Sequence, residues 1–224
     1  MLSKSLVSSA VLGLAAVQQA LAQSCSTQST AFTFYGAPDN DPPGPDTAYT
    51  CSKVSGRGYT AGGTGSYSDP LTFASAKGEF SDCEVIYAPY LKKYLIYQDF
   101  CAQCTDDWSS SRKWHIDIWT GTSSNGGEAQ IQCENSLTPD NNQDIVRNPP
   151  SNLEVDLSAL WSNGQCHTDH IYNNADASKA CSGGSGNGGS GSCSWAGHCA
   201  GAKCSTFDDC SDDLVCTNGV CASA

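Results

Sequence analysis

The sequence predicts a mainly β domain followed by a small, disulfide-rich C-terminal module, and three observations carry that expectation. Short apolar runs alternate with polar residues up to Cys181, separated by clusters of glycine, proline, asparagine and aspartate. A glycine/serine tract runs from Ser182 to Ser192. The chain has 14 cysteines, and they fall on both sides of that tract.

Taken in order, residues 1–22 read as a signal peptide: Lys4, an apolar run through Val7, Val11, Leu12, Leu14, Ala15 and Ala16, then the small-x-small pattern Ala20-Leu21-Ala22. That run is too short to span a bilayer, which needs about 20 apolar residues, and no later segment approaches that length. A soluble, secreted, extracellular protein starting near Gln23 is expected. Residues 23–181 are long enough for one core. Their alternating runs, Ala31–Tyr35, Glu84–Tyr87, Tyr94–Tyr97 and Trp114–Trp119, have the two-residue period of half-buried strands and predict a barrel or sandwich. Helical periodicity is confined to a turn or two near Asp156–Trp161. Residues 182–192 carry no apolar side chain and read as a flexible tether reaching roughly 17–20 Å. Residues 193–224 form a unit too small to fold on burial alone, so it needs cross-links.

Cysteines Cys25, Cys51, Cys83, Cys101, Cys104, Cys133, Cys166 and Cys181 precede the tether, and Cys193, Cys199, Cys204, Cys210, Cys216 and Cys221 follow it. In an oxidising compartment all should form disulfides, each part pairing its own thiols, although spacing does not choose among the pairings. The same context argues against zinc at His198 and Cys199, and against a redox role for Cys101-Ala102-Gln103-Cys104, which lacks a surrounding βαβ pattern. The net charge of −12, or −13 once Lys4 is removed, repels nucleic acid and anionic membranes. Neither is expected as a partner, and a monomer is expected.

The chemistry-bearing candidates are carboxylates. Strand alternation in His115-Ile116-Asp117-Ile118-Trp119 puts the isoleucines on a core face and His115, Asp117 and Trp119 on a groove face, where aromatic walls would raise the aspartate's pKa and stack on sugar rings. By the same rule Leu95, Tyr97 and Asp99 share a face. Asp39, Asp41, Asp46 and Asp69 sit in turns, where aspartate usually caps its own backbone. No Gly-x-Ser-x-Gly, His-Glu-x-x-His or phosphate-binding loop is present, which leaves carboxylate hydrolysis as the enzymatic chemistry in view.

The segments Thr33-Phe34-Tyr35-Gly36, Gly63–Ala74, Asp99 with Cys101-x-x-Cys104, and His115-Ile116-Asp117-Ile118 together resemble the double-psi β-barrel superfamily of expansins, barwin-type endoglucanases and lytic transglycosylases. The whole chain resembles secreted fungal muramidases built from such a barrel and a small cysteine-rich module. The resemblance implies a six-stranded double-psi β-barrel that cleaves peptidoglycan glycan strands. Asp117 would be the catalytic acid and Asp99 its neighbour on the preceding strand, with Asp39 or Asp69 as a second carboxylate. Tyr35, Tyr67, Trp108, His115 and Trp119 would bind a polysaccharide substrate. No cofactor and no metal are implied, and the terminal module would bind wall polymer. Where the endoglucanases carry a carboxylate directly after their aromatic pair, Tyr35 is here followed by Gly36-Ala37-Pro38 before Asp39. A non-hydrolytic expansin-like protein, a β-1,4-glucanase and a lytic transglycosylase remain alternatives on the same barrel.

Overall fold

The computed structural model describes residues 24–121, 124–173, 175–182 and, near the C-terminus, 204, 206, 209–210, 214–217 and 219–223. The leader, residues 183–192 of the tether, Cys193, Trp195, His198, Cys199 and Phe207 lie outside the described residues.

Six strands close into a barrel: β1 (Ser26–Tyr35), β2 (Leu71–Ser75), β3 (Val85–Ala88), β4 (Lys93–Phe100), β5 (His115–Trp119) and β6 (Gln143–Arg147). Their order around the barrel is β1-β5-β2-β4-β3-β6. The pairs β1·β5 and β2·β4 are parallel and the rest antiparallel, which is the double-psi arrangement expected from the sequence. Closure leaves no unpaired sheet edge. Phe32, Phe34, Leu71, Phe73, Leu95, Tyr97, Ile116 and Ile118 fill the core.

Two helices interrupt this β pattern where none was expected. Helix α1 (Ala102–Ser111) starts directly after β4, with Cys101 as its N-cap accepting from the Cys104 amide. Helix α2 (Gly127–Leu137) buries Gln130, Cys133, Glu134 and Leu137. Asp156–Leu160, expected to be helical, is not, and Trp161–Ser162 (β7) instead forms a hairpin with Gln165–Cys166 (β8). The buried Lys93 ammonium donates to the carbonyls of Asp156 and Ser158, and the Asp156 carboxylate accepts from the Tyr172 hydroxyl and the Ser158 amide, so these groups bond outside any helix. Helix α3 (Ser178–Ser182) closes the unit and ends one residue into the expected tether.

Disulfides pair within each part: Cys25–Cys181, Cys51–Cys83, Cys101–Cys104 and Cys133–Cys166 in the barrel unit, and Cys204–Cys216 and Cys210–Cys221 in the C-terminal segment. Among the described residues no cysteine is free. The C-terminal segment also contributes a two-stranded hairpin, β9 (Leu214–Thr217) with β10 (Val220–Ser223).

Cys25–Cys181 spans 156 residues and Cys101–Cys104 only 3, so loop-closure entropy assigns about 4–5 kcal/mol to the first and about 1–2 kcal/mol to the second. Urea denaturation of the two Cys→Ser pair variants should therefore show the larger loss for Cys25/Cys181. The reverse order would mean that anchoring the end of β4 outweighs closing the chain.

Candidate active site

Strand β5 is built from alternation. Ile116 and Ile118 pair with Phe32 and Phe34 on β1 and turn to the core, while Asp117 is the one residue of the strand that is not fully buried. Asp117 lies opposite Thr33 on β1 and opposite Ala74 on β2. Ala74 in turn lies opposite Asp99 on β4, because the β2·β4 register slips by one residue between Phe73 and Ala74 and passes over Gln98. Strict alternation would have left Asp99 with Tyr97 and Leu95. The bulge instead carries it into the Thr33–Asp117–Ala74 row, and the small Ala74 leaves space between the two carboxylates.

A hydrogen-bonded chain supports Asp117 from behind. Thr33 Oγ1 donates to Asp117 Oδ1 at 2.8 Å and contacts His115 Nε2 at 3.0 Å, and His115 Nδ1 meets Asp107 Oδ2 at 2.8 Å. Lys113 also bonds Asp107, and with His115 it holds the Asp107 carboxyl below its usual range. Burial pushes the His115 imidazole down, although Asp107 opposes this. Thr33 thus bridges the His115 imidazole and the Asp117 carboxyl, its one proton going to Asp117. Burial, with the charges of Asp39 and Asp99, raises Asp117 to about 7 against the opposing Thr33 bond.

Asp99 is 5% exposed and saturated as an acceptor. Its Oδ1 takes the amides of Ala48 and Phe100, and its Oδ2 takes the Tyr35 hydroxyl, each at 2.8 Å. It anchors the loop after β1 rather than facing solvent. Burial and the charges of Asp99, Asp117 and Asp39 raise the Tyr35 hydroxyl well above its usual value, which places three carboxylates around one ring. Asp39 is exposed and accepts from the Gly36 amide.

Glu134 on α2 completes the cluster and was not anticipated from the sequence. Burial and the adjacent Asp39 raise it to about 8. The Glu134 and Asp39 carboxyl groups meet directly, an arrangement that requires a proton between them. Gly36 makes this approach possible, since a Cβ there would stand 2.5 Å from Glu134 Oε1 and 2.0 Å from Gln130 Nε2. The missed signal is the helical spacing 130, 133, 134, 137, hidden because two of the four inward residues are polar.

Other expected ligands are placed differently. His115 and Trp119 are 1% and 0% exposed, so neither forms a groove wall: His115 is locked in the chain above and Trp119 packs edge-on against Tyr35 at 5.2 Å. Tyr35 is also buried. Trp108 and Trp114 pack against each other at 5.0 Å, Trp108 under Arg112. Tyr67 is exposed but lines a separate pocket with Ser81, Glu84 and Asn148. Asp69 accepts from the Thr64 amide within its own turn. Among the described residues Phe100, which follows Asp99 on β4, and Tyr59, whose carbonyl accepts from the Thr47 amide, are also exposed aromatics. A pocket of about 560 Å³, lined by Gly121, Asn125, Trp161 and Asn163 among others, opens beside Thr120, whose hydroxyl donates to Glu134.

These features define a closed six-stranded barrel with a carboxylate cluster on one face. The family model for the DDB_G0273701 N-terminal domain matches residues 27–167, and the chain belongs to that family. An uncharacterized Dictyostelium discoideum protein, DDB_G0273701/DDB_G0273221, is 36% identical over 130 residues, 58% of this chain and 55% of that protein. Endo-chitosanase C of Aspergillus oryzae is 81% identical over 36 residues, and that of strain ATCC 42149 / RIB 40 is 71% identical over 41, each match covering 16% of this chain and 10% of the enzyme. The chain thus spans about half the length of the first relative and a tenth of the others. No solved structure matches significantly.

Because Asp117 keeps its proton to about pH 7 in the folded state while an unfolded aspartate loses it near 4, the native state binds more protons across that window, and stability falls as pH rises through it. Asp117→Asn removes this contribution. Its urea midpoint relative to the parent should therefore rise between pH 4.5 and pH 7.5, and a pH-independent difference would show that Asp117 ionises normally.

Proposed function

We propose that the chain is a secreted glycoside hydrolase acting on a cell-wall polysaccharide, with peptidoglycan glycan strands as substrate. The observation that carries this reading is Asp117: the one partly exposed residue of β5, yet protonated to about pH 7 through burial and neighbouring carboxylates. That is the state a general acid needs near neutrality. Asp117 gives its proton to the glycosidic oxygen as the C–O bond breaks, and the exposed Asp39 takes a proton from the attacking water or stabilises the oxocarbenium-like charge. Glu134 holds the proton shared with Asp39 and so orients it. Asp99 positions Tyr35 and the loop bearing Asp39. The exposed Phe100 and Tyr59 offer stacking faces for sugar rings.

The unit from residue 23 to 181 is the catalytic domain in this reading, preceded by a cleaved leader at 1–22. Residues 182–192 are the tether, and 193–224 bind wall polymer. The Aspergillus matches, 36 to 41 residues long, are too short to contain the barrel and are of the size of the terminal module. The extracellular location rests on the leader and on the disulfides.

Chitosan is a second reading. The Aspergillus relatives are endo-chitosanases by name, and the net charge of −12 attracts a polyamine polysaccharide. Reducing-end release from purified peptidoglycan and from chitosan tests both, and release from neither would favour a non-hydrolytic, expansin-like protein.

Asp117→Asn should lower that release by about 10²- to 10⁴-fold without loss of folded structure. Retained activity would remove Asp117 as the acid. Cleaving the chain within 183–192 should leave turnover of soluble fragments intact and weaken turnover of insoluble wall, whereas equal loss on both would exclude a binding role for the module.

A further inference from the structure

We propose that His167, Asp169 and His170 bind a divalent transition metal, with Zn²⁺ the best chemical match. The three residues follow β8, His167 preceding and the others within the 3-10 turn Thr168–His170. One ligand atom from each lies within 4.8 Å of the other two. Two imidazoles and one carboxylate are a donor set for zinc, copper or nickel rather than for calcium or magnesium, which prefer all-oxygen cages.

The hydrogen bonds of the rings direct their free nitrogens. His170 Nδ1 meets Asp156 Oδ2 at 2.9 Å, and Asp156 is an acceptor there, also taking the Tyr172 hydroxyl and the Ser158 amide. The proton on Nδ1 leaves Nε2 as the lone pair, and a carboxylate behind a ligating histidine is the usual outer support of a metal site. His167 Nε2 meets Ser162 Oγ at 2.9 Å, and donation to that hydroxyl frees Nδ1. His170 Nε2 stands 3.9 Å from Asp169 Oδ2. Ligands bonded at about 2.0–2.1 Å in a tetrahedron lie roughly 3.3 Å apart, so a shift of under about 1 Å closes the His170–Asp169 pair and one of up to about 1.5 Å closes the set. Asp169, with a side chain 78% exposed, is free to make it.

Both flanks are fixed. Cys166 is cross-linked to Cys133 on α2, the His167 amide donates to the Leu160 carbonyl, and the Tyr172 amide donates to the Tyr90 carbonyl. A bound ion would brace the segment joined to the helix that carries Glu134, and a water would fill its fourth position. This inference does not depend on the glycosidase reading.

The test is Zn²⁺ titration of the chelator-treated full chain by calorimetry, with thermal melts alongside. One equivalent should bind and raise the melting temperature. His167→Ala and Asp169→Asn should each weaken binding more than about tenfold, the smallest loss typical of removing even an outer partner. Asp169→Asn alters an exposed side chain, so it reads the site without risk to the fold. Cu²⁺ bound in place of Zn²⁺ should show two nitrogen ligands by electron paramagnetic resonance. Absence of saturable binding, or binding unchanged in both variants, would overturn the proposal.

Discussion

Thr33 stands opposite Asp117 in the parallel pairing of β1 with β5, and the remaining site is arranged around that register. A slip of one residue would turn Asp117 into the core and expose Ile116 or Ile118. Burial of the two isoleucines among Phe32, Phe34 and Phe73 is worth about 2 kcal/mol per side chain, so hydrophobic packing, not the polar contacts, holds the register. The polar chain Asp107–His115–Thr33–Asp117 can exist only on a strand so fixed, because its links of 2.8 to 3.0 Å tie α1 to β5 once and β5 to β1 twice.

Four carboxyl groups crowd one face, and packing alone would not tolerate their charges. The barrel resolves this by giving each a different environment. Asp99 stays an acceptor by taking two amides and a hydroxyl, Asp117 and Glu134 keep their protons, and Asp39 projects into water. Different environments for like groups are how one site obtains an acid and a base at the same pH. Such a cluster costs stability, which is the usual sign that its residues are kept for something other than folding.

Much of this was legible in the sequence. The strand runs around Phe34, Ile86, Ile96 and Ile116 carry a two-residue period that any buried barrel face imposes, and Asp117 stands out as a carboxylate between two isoleucines in the last of them. Separation of the cysteines by the tether likewise foretold pairing within each part. Three features were not legible, each for a definite reason. A bulge over Gln98 leaves no compositional mark, so the facing of Asp99 could not be read. Trp119 and His115 obey alternation, but in a closed barrel with helices packed outside it the second face is also covered. Helix α2 buries Gln130 and Glu134 at helical spacing, and a polar inward stripe is invisible to hydrophobic periodicity.

Gly36 ties these hidden features together. Asp39, the exposed carboxylate three residues beyond Gly36, reaches back so that its Oδ1 accepts from the Gly36 amide. With no side chain at position 36, Gln130 and Glu134 come within van der Waals distance of the β1 backbone, and Thr120 bonds both the Tyr35 carbonyl and Glu134. The turn aspartate and the buried glutamate are thus two parts of one arrangement. A helix carboxyl occupies the space beside the strand that the missing Cβ leaves, and its proton lets a second carboxyl group lie against it at the edge of solvent.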